Sequence, residues 1–298
     1  MLSLCQHAVV LSEGRLIADY KPIDDQAAST LTLRMAGPDC RNRYPRTSAL
    51  KGNVLLAAHR LSSAAHHLND ISLYARAGEI VGIADLQQAS KSALVGLLSG
   101  TVKPSSGALY IDSRPCRLRG PLDSAKAGLA ILRSGSSANL YPRMDAYFNI
   151  SLSNLDGIGG RFCARPQDMR SFATAYLQKV NLRKVSPSRP VRTLSYGTQQ
   201  KLALSRAVCS RRRILVMVDP TAGVDCAAKV DMYNLMNRMA HQGRAILLFS
   251  SDMQEMAGMC DRVYVIYANS IAAHLSGRDL TPHKLLACAA GNRACGVV

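Results

Sequence analysis

The sequence predicts an α/β fold built around a mainly parallel sheet, and three observations lead to this prediction. Hydrophobic residues make up 48% and charged residues 19% of the 298 residues, as in a globular chain. Short apolar runs of strand length alternate with segments of helical periodicity from residue 79 to residue 290. Two of the runs, at 214–218 and 245–249, are almost wholly apolar, which is typical of parallel strands buried on both faces. We therefore expect helices on both faces of the sheet.

The individual elements follow from these patterns in chain order. Runs of apolar, often β-branched residues predict strands at 79–84, 108–112, 129–132, 214–218, 245–249 and 263–266. Apolar residues at helical spacing predict helices at 91–98, 169–182, 202–209, 227–242, 253–259 and 282–290. No apolar run is long enough to span a bilayer, so we expect no membrane helix.

A weak internal repeat indicates how the chain is divided. One copy begins at Cys5 and ends at Gly37; the other begins at Cys260 and ends at Gly291, and the copies start 255 residues apart. We interpret residues 1–37 as the tail of one domain and residues 54–277 as a complete second domain. The intervening residues 38–53 are rich in Gly, Pro, Ser, Asn and Arg and read as a linker. Residues 278–298 form a C-terminal helix and tail.

Charge and cysteine content limit the function classes. The net charge is +17, and residues 161–213 carry thirteen basic residues against the single acid Asp168. This balance favours a polyanion, an anionic membrane surface or an anionic ligand, although a solvated basic face remains an equal alternative. No recognised nucleic-acid-binding module accompanies the charge, so we expect no specific nucleic acid partner. Nine scattered cysteines without a CxxC pair predict reduced thiols, and the N-terminus does not read as a secretory signal.

A candidate phosphate-binding loop joins the first predicted strand to the first predicted helix. Residues 85–92 read DLQQASKS and fit the P-loop pattern GxxxxGK[ST] at Lys91 and Ser92. In that pattern glycines let backbone N–H groups surround a phosphate, the lysine adds positive charge and the hydroxyl holds Mg²⁺. Here Asp85, Gln88 and Ser90 occupy the glycine places. The match is therefore weak when it is taken alone.

Three further motifs follow in a fixed order. Residues 194–201 read LSYGTQQK, residues 216–225 read VMVDPTAGVD and residues 249–265 read FSSDMQEMAGMCDRVYV. Their order and spacing resemble the signature, the Walker B and D-loop segment, and the switch region of ABC transporter nucleotide-binding domains. The doubled glutamine and the Ser–Ser switch are similar to the second half of tandem sugar-type importers (ribose, galactose, xylose or autoinducer-2). The resemblance covers about residues 54–277, and residues 1–37 match the tail of the family's first half.

The resemblance implies a P-loop NTPase-like ABC domain with a helical subdomain, which binds ATP and Mg²⁺. It also implies membrane permease subunits, docked near the basic helical region at the cytoplasmic face of the membrane. The second nucleotide-binding domain that the family needs would be a further copy or a separate chain. In such pairs ATP lies between one domain's P-loop and the other's signature. Ser195, Gly197 and Gln199 would face the partner's γ-phosphate, and Asp225 would lie in the D-loop at the interface.

Several positions depart from the family pattern. The carboxylate of Asp85 would repel a polyphosphate by about 4 kcal/mol at about 4 Å, unless it turns outward. Val218 replaces the aspartate that orients Mg²⁺, which leaves Ser92 as the candidate metal ligand. Asp219 replaces the glutamate that polarises water and is the one candidate catalytic residue, although it is a methylene shorter. The Q-loop region, residues 132–137, keeps neither an acid nor an amide.

These observations predict the energy-coupling subunit of a sugar-type ABC importer with weakened or lost ATP hydrolysis. One alternative is a non-enzymatic degenerate domain that only complements a partner nucleotide-binding domain. Another is the decayed remnant of a truncated gene. A third, an ABC-type factor that acts on nucleic acid, is suggested by the basic segment but disfavoured by the sugar-type motifs. The resemblance implies that the transported compound is chosen by the membrane and binding subunits.

Overall fold

A computed structural model describes residues 5, 7–12, 15–21, 43–86, 88–133, 135, 139–158, 165–180, 182, 186 and 188–292. The strands are β1 (Ala8–Ser12), β2 (Arg15–Tyr20), β3 (Val54–Ser63), β4 (Leu68–Arg76), β5 (Ile80–Asp85), β6 (Ser106–Ile111), β7 (Arg114–Cys116), β8 (Leu129–Leu132), β9 (Ile214–Val218), β10 (Ala245–Ser250), β11 (Arg262–Tyr267) and β12 (Ser270–Ser276). The helices are α1 (Gln88–Ser99), α2 (Pro121–Lys126), α3 (Ala146–Ser151), α4 (Leu155–Ile158), α5 (Pro166–Lys179), α6 (Tyr196–Cys209), α7 (Cys226–His241), α8 (Met253–Met259) and α9 (Pro282–Ala289).

The central sheet has six strands in the order β12-β11-β5-β10-β9-β8. All neighbouring pairs are parallel except β11 and β12, which form an antiparallel hairpin at one edge. The predicted mainly parallel sheet is therefore confirmed. Because the carboxyl ends of its parallel strands lie at one edge, the loops that follow β5, β9 and β10 are brought together there.

A second sheet was not predicted from the sequence. Strands β4-β3-β6-β7 form an antiparallel sheet, and the expected strand at 108–112 belongs to it as β6. The register of β3 shifts at several points, and Arg60 within it has a positive φ of 48°. These irregularities interrupt the alternation of apolar and polar residues by which strands are recognised in a sequence.

The core lies on both faces of the central sheet, as β10 illustrates. Ile246 and Leu248 face a cluster formed with helices α6 to α9. Leu247 and Phe249 face the opposite cluster, which includes α1 and the antiparallel sheet. All four side chains are fully buried. An almost wholly apolar strand is stable here because successive side chains enter two different cores.

The predicted helical subdomain is formed by α3, α4 and α5, with α3 in contact with both α5 and α6. Helix α5 starts at Pro166, in the first helical position where a missing N–H costs nothing, and buries Ala173 and Leu177. It ends three residues earlier than expected. Part of the basic segment, including residues 161–164, lies outside the described residues.

Two segments bear on the predicted division of the chain. The hairpin β1–β2 lies within residues 1–37, whose other described residues are 5, 7 and 21. In the proposed linker, residues 43–53 are described and pack on the main domain, where Arg46 Nη2 donates to Asp261 Oδ2 at 2.7 Å. Among the described residues, no helix is both long and apolar enough to span a bilayer.

Candidate functional site

The predicted phosphate loop connects β5 to α1, as the sequence indicated. Asp85 is the last residue of β5 and is buried, so its carboxylate turns inward. Its Oδ2 accepts a hydrogen bond from the backbone N–H of Lys91 at 2.8 Å. This amide lies in the first turn of α1, near the helix N-terminus, where the helix dipole favours an anion. A carboxylate of the same chain therefore occupies an anion position of the loop.

The side chain of Lys91 is also engaged. Lys91 is buried, and its Nζ donates to Asp219 Oδ2 at 2.6 Å. Asp219 follows β9 in a left-handed conformation with a φ of 43°. Its amide donates to Phe249 O at 2.8 Å and its Oδ1 accepts from the amide of Ser251 at 3.1 Å. These contacts with the end of β10 fix the carboxylate that neutralises the lysine.

The remaining loop residues take three different positions. Ser90 is buried and its hydroxyl donates to Asn269 Oδ1 at 2.7 Å, in the turn between β11 and β12. Gln88 begins α1, but its side chain lies outside the described residues. Ser92 is exposed, and the side chain of Val218, at the end of β9, offers no oxygen atom to a metal. The described residues also contain no cluster of three or more His, Cys, Asp or Glu suited to a metal.

The signature and D-loop residues form a second group. Ser195 caps α6, accepting a hydrogen bond from the amide of Thr198 at 3.3 Å, and Asp225 caps α7 through the amide of Ala228 at 2.9 Å. The N-termini of α6 and α7 lie side by side. The space around Gly197 shows this, since a Cβ placed on this glycine would lie 3.3 Å from Asp225 Oδ2. The structure therefore brings the signature and the D-loop together.

Gln199 belongs to the same group, since its Nε2 donates to Leu194 O at 2.9 Å. Sequence reasoning did not single out Tyr196, which occupies the first glycine place of the signature. Its ring lies over Gly223, whose Cβ would meet Tyr196 Cε1 at 3.3 Å, and its hydroxyl accepts from Gln200 Nε2 at 2.8 Å. The departure from the LSGGNQQK pattern was the signal that could have identified it.

A buried carboxylate was also missed. Glu255 Oε1 accepts hydrogen bonds from Thr221 Oγ1 at 2.5 Å and Tyr233 Oη at 3.0 Å, while Oε2 accepts from Ser250 Oγ. These residues join the segment after β9, α7 and the end of β10. The glutamate appears in the switch-region match, so its place in the motif was the available signal.

The basic segment borders a cavity of about 480 Å³ between β8, α2 and α6. Arg133, Arg206 and Arg212 are among the residues that line it. Burial lowers the pKa of Arg206, whose Nε donates to Ser153 Oγ at 2.9 Å. The Arg212 guanidinium donates to a backbone carbonyl of α2. Part of the positive charge is thus positioned by neutral acceptors.

Comparison with known proteins agrees with the order of motifs. A family model described as "ABC transporter" matches residues 68–222. The ribose import ATP-binding protein of Rubrobacter xylanophilus is 32% identical over 292 residues, which cover 97% of this chain and 58% of that protein. The galactose/methyl galactoside import ATP-binding protein of Clostridium tetani is 27% identical, with 96% of this chain and 57% of that protein covered. This chain thus spans less than two thirds of the relatives it matches.

Solved structures show the same fold. An ATP-binding cassette of an ABC transporter in its ADP conformation has a TM-score of 0.67 at 18% identity, covering 79% of this chain and 96% of that one. The cbiO1 protein of Clostridium perfringens, part of an ABC transporter complex, has a TM-score of 0.66 at 19% identity, covering 82% and 93%. At these identities the similarity shows the architecture.

Proposed function

Because this chain belongs to the ABC transporter family, as an ATP-binding protein of the sugar-importer type, we propose that it couples a sugar-type import system without hydrolysing ATP at its own phosphate loop. It acts as the energy-coupling subunit at the cytoplasmic face of the membrane, where it binds permease subunits and a second nucleotide-binding domain. The compound transported is chosen by other subunits.

The observation that carries the loss of hydrolysis is the contact between Asp85 Oδ2 and the Lys91 amide at 2.8 Å. To bind there, a nucleotide phosphate has to displace a carboxylate that already satisfies the helix amide. It also has to break the 2.6 Å ion pair between Lys91 and Asp219. Loss of a hydrogen bond to a charged group raises the free-energy cost of phosphate binding by about 2 kcal/mol. Repulsion from the displaced carboxylate, about 4 Å away, raises this cost by about 4 kcal/mol more.

Two further features support the same conclusion. Val218 stands where a carboxylate would orient Mg²⁺, and a valine cannot hold the metal's water ligands. Asp219, the remaining candidate base, is held by Lys91 and by the amide of Ser251. A general base has to be within reach of an attacking water and free to accept its proton.

The signature group supports a role toward a partner. Ser195 and Gly197 lie at the N-terminal end of α6, a fourteen-residue helix whose dipole favours an anion at this end. In the proposed pairing this end faces a phosphate bound by the partner's loop, and Asp225 lies beside it at the interface. The domain would thereby complete a site at which the partner chain hydrolyses ATP.

The competing proposals are a non-enzymatic degenerate domain that only complements a partner, and a decayed remnant. They differ from ours in that the phosphate loop could not regain nucleotide binding by one substitution, because several positions besides Asp85 depart from the pattern. The proposals therefore differ in whether removal of the Asp85 carboxylate alone changes nucleotide binding. If Asp85 is the main obstacle, its removal restores nucleotide binding even though Val218 remains.

The decisive experiment is equilibrium binding of a fluorescent ATP analogue with Mg²⁺ to the purified chain and its variants. The unchanged chain should show no binding below millimolar nucleotide. Asp85→Gly and Asp85→Asn should bind at least about a hundredfold more tightly, since about 2.7 kcal/mol corresponds to that factor. Asp112→Asn is the matched control, because Asp112 is an exposed carboxylate paired with Arg213 and should leave binding unchanged.

Adding Lys91→Ala to Asp85→Gly should abolish the restored binding, because it removes the loop's positive charge. Micromolar binding by the unchanged chain would contradict the proposal and favour an active ATPase. Absence of binding in both Asp85 variants would favour the non-enzymatic domain.

A further inference from the structure

The cavity of about 480 Å³ between β8, α2 and α6 lies against one edge of the central sheet. Among the described strands, β8 is the last in the order and pairs with β9. The amide of Ile214 donates to Gly128 O at 3.1 Å, a pairing that turns the backbone groups of Ala130 toward β9. The N–H and C=O groups of Leu129 and Ile131 therefore point away from β9, on the side of the cavity that both residues line.

Arginine side chains give this cavity a positive charge. Arg133, Arg206 and Arg212 line it, and the described residues of the lining include neither aspartate nor glutamate. Arg206 donates through Nε to Ser153 Oγ at 2.9 Å and through Nη1 to Asn139 O at 2.5 Å, and Arg212 donates to a backbone carbonyl of α2. A guanidinium has five N–H donors, so these bonds leave donors for a ligand in the cavity.

Burial of Arg206 without a carboxylate indicates that an anion belongs beside it. Burial lowers the pKa of Arg206, and the opposing effect comes from Tyr141 rather than from an acid. Among the described side chains, no carboxylate lies within ion-pair distance of Arg206 or Arg212. Arg262, by contrast, is buried against Glu79 at 2.7 Å. Because a buried cation without an anion is costly, the cavity beside Arg206 is a favourable place for a negatively charged ligand.

Hydrogen-bond acceptors accompany the positive charge. Ser124 and Ser210 are buried and line the same cavity. Their hydroxyls donate to the backbone carbonyls of Leu98 at 2.8 Å and Ala207 at 2.7 Å. A serine hydroxyl has one hydrogen and two lone pairs, so each of these oxygens is left as an acceptor. Hydroxyl groups of a ligand are donors that suit such oxygens, and the cavity volume lies within the range of small-molecule pockets, roughly 300 to 1,000 Å³.

We propose that this cavity binds a small phosphorylated polyhydroxy compound, such as a sugar phosphate, with its phosphate on the arginines and its hydroxyl groups on the serine oxygens. Arginine suits the phosphate because the planar guanidinium can donate to two phosphate oxygens at once. The site lies toward the C-terminal end of α6, whereas the signature lies at the N-terminal end of that helix. This inference does not rest on the proposed function, because the phosphate loop takes no part in the contact.

The test is calorimetric titration of the full chain with glucose 6-phosphate at low salt, which should give a Kd below about 1 mM. Arg133→Gln and Arg212→Gln should each weaken binding at least about tenfold, because each removes a charge-assisted hydrogen bond to the phosphate. Arg278→Gln is the matched control, since Arg278 is exposed and lies outside the cavity lining. Inorganic phosphate should bind at least about tenfold more weakly than glucose 6-phosphate, because it lacks the sugar hydroxyls.

Amide hydrogen exchange then locates the bound compound. Glucose 6-phosphate should slow exchange at Leu129 and Ile131, whose amides face the cavity side of β8, and should leave residues 88–92 of the phosphate loop unchanged. Ala207→Phe fills the cavity without removing a charge, since Ala207 belongs to the lining. It should abolish both binding and protection, and its unfolding temperature reports whether the fold is intact.

Four outcomes would overturn the proposal. The first is absence of binding at about 10 mM glucose 6-phosphate, or equal affinity of the Arg212→Gln and Arg278→Gln chains. The second is protection confined to residues 88–92, which would place the compound at the phosphate loop. The third is equal affinity for inorganic phosphate, which would show that the hydroxyl groups take no part. The fourth is tighter binding of a hexaglutamate peptide with protection of the same amides, because the edge of β8 would then take an added peptide strand.

Discussion

Buried charges in this molecule are held by partners far away in the sequence, as Glu79 illustrates. Its carboxylate receives two hydrogen bonds from the Arg262 guanidinium, at 2.7 Å and 3.0 Å. Burial alone would raise the pKa of Glu79, but the hydrogen bonds and charge of Arg262, the amide of Arg76 and the charge of Lys51 outweigh it and lower the pKa. The ion pair joins the start of β5 to β11.

Glu79→Gln should lower the free energy of unfolding at pH 7 by about 3 kcal/mol, because it leaves a buried guanidinium without its carboxylate. Since the folded-state pKa is depressed, the stabilisation is present above the unfolded value of about 4.3 and is lost as the pH falls through the folded-state pKa. Urea unfolding should therefore show that the free energy of unfolding falls less between pH 7 and pH 3 in the variant than in the unchanged chain.

Asp279→Asn is the control for this prediction, because the Asp279 carboxylate is exposed and pairs with an exposed lysine. It should change the free energy of unfolding by less than about 0.5 kcal/mol at pH 7. An equal pH dependence in the Glu79→Gln and unchanged chains would show that another group controls the acid transition.

The types of residue at the site could be predicted from the sequence, but their contacts could not. Lys91 and Asp219 were identified from their motifs, and both lie at the site. Their ion pair spans 128 residues and depends on the order of strands in the sheet, which local pattern does not encode. The inward turn of Asp85 depends in the same way on an amide six residues later that only the folded loop presents.

At the scale of elements, packing between β5 and α8 depends on a residue without a side chain. A Cβ on Gly82 would come within 2.7 Å of Met256 Sδ and Val263 Cγ2, and within 2.9 Å of Cys260 Sγ. Distances below 3.0 Å are not tolerated without movement of the neighbouring atoms. Strand β5 can therefore approach α8 and β11 closely because position 82 is glycine.

Gly82→Ala should lower the free energy of unfolding by about 3 kcal/mol, the upper part of the range for overpacked cores. Urea unfolding measures the change. Gly52→Ala is the control, because Gly52 is exposed and its Cβ would meet one neighbour, Ala77 Cβ, at 3.2 Å. A loss below about 0.5 kcal/mol in both variants would mean that α8 moves away at little cost.

Helix boundaries show where sequence patterns succeed and fail. The predicted helix at 253–259 and strands at 129–132 and 214–218 agree with α8, β8 and β9. Helix α6 begins at Tyr196, six residues before the expected start, because its first turns consist of polar signature residues without apolar periodicity. The Ser195 cap starts the helix there, a signal that hydrophobic periodicity does not contain.

For the molecule as a whole, the alternation of strands and helices correctly predicted an α/β fold, whereas the antiparallel sheet was missed. Its strands depend on pairing across bulges rather than on a clean local pattern. The division of the chain into residues 1–37, 38–53, 54–277 and 278–298 stays a prediction. The net charge of +17 also belongs to the scale of the whole molecule, because it acts through the electrostatic field summed over the entire surface.

This charge should produce only salt-sensitive, sequence-independent binding to RNA. Affinity for a fluorescent single-stranded RNA should fall about a hundredfold between 50 mM and 200 mM salt, because bound counterions are released when phosphates are neutralised. Fluorescence anisotropy with two unrelated RNA sequences measures both properties. Tight binding to one of the two sequences at 200 mM salt would instead support the nucleic acid factor.

The contact between Asp85 and the Lys91 amide has a genetic consequence. Every codon for aspartate becomes a glycine codon by a change of its second base alone. The carboxylate that occupies the loop is therefore one point mutation away from the glycine of the P-loop pattern. If cells that depend on ATP binding by this chain were selected, glycine codons at position 85 should be among the first changes to arise.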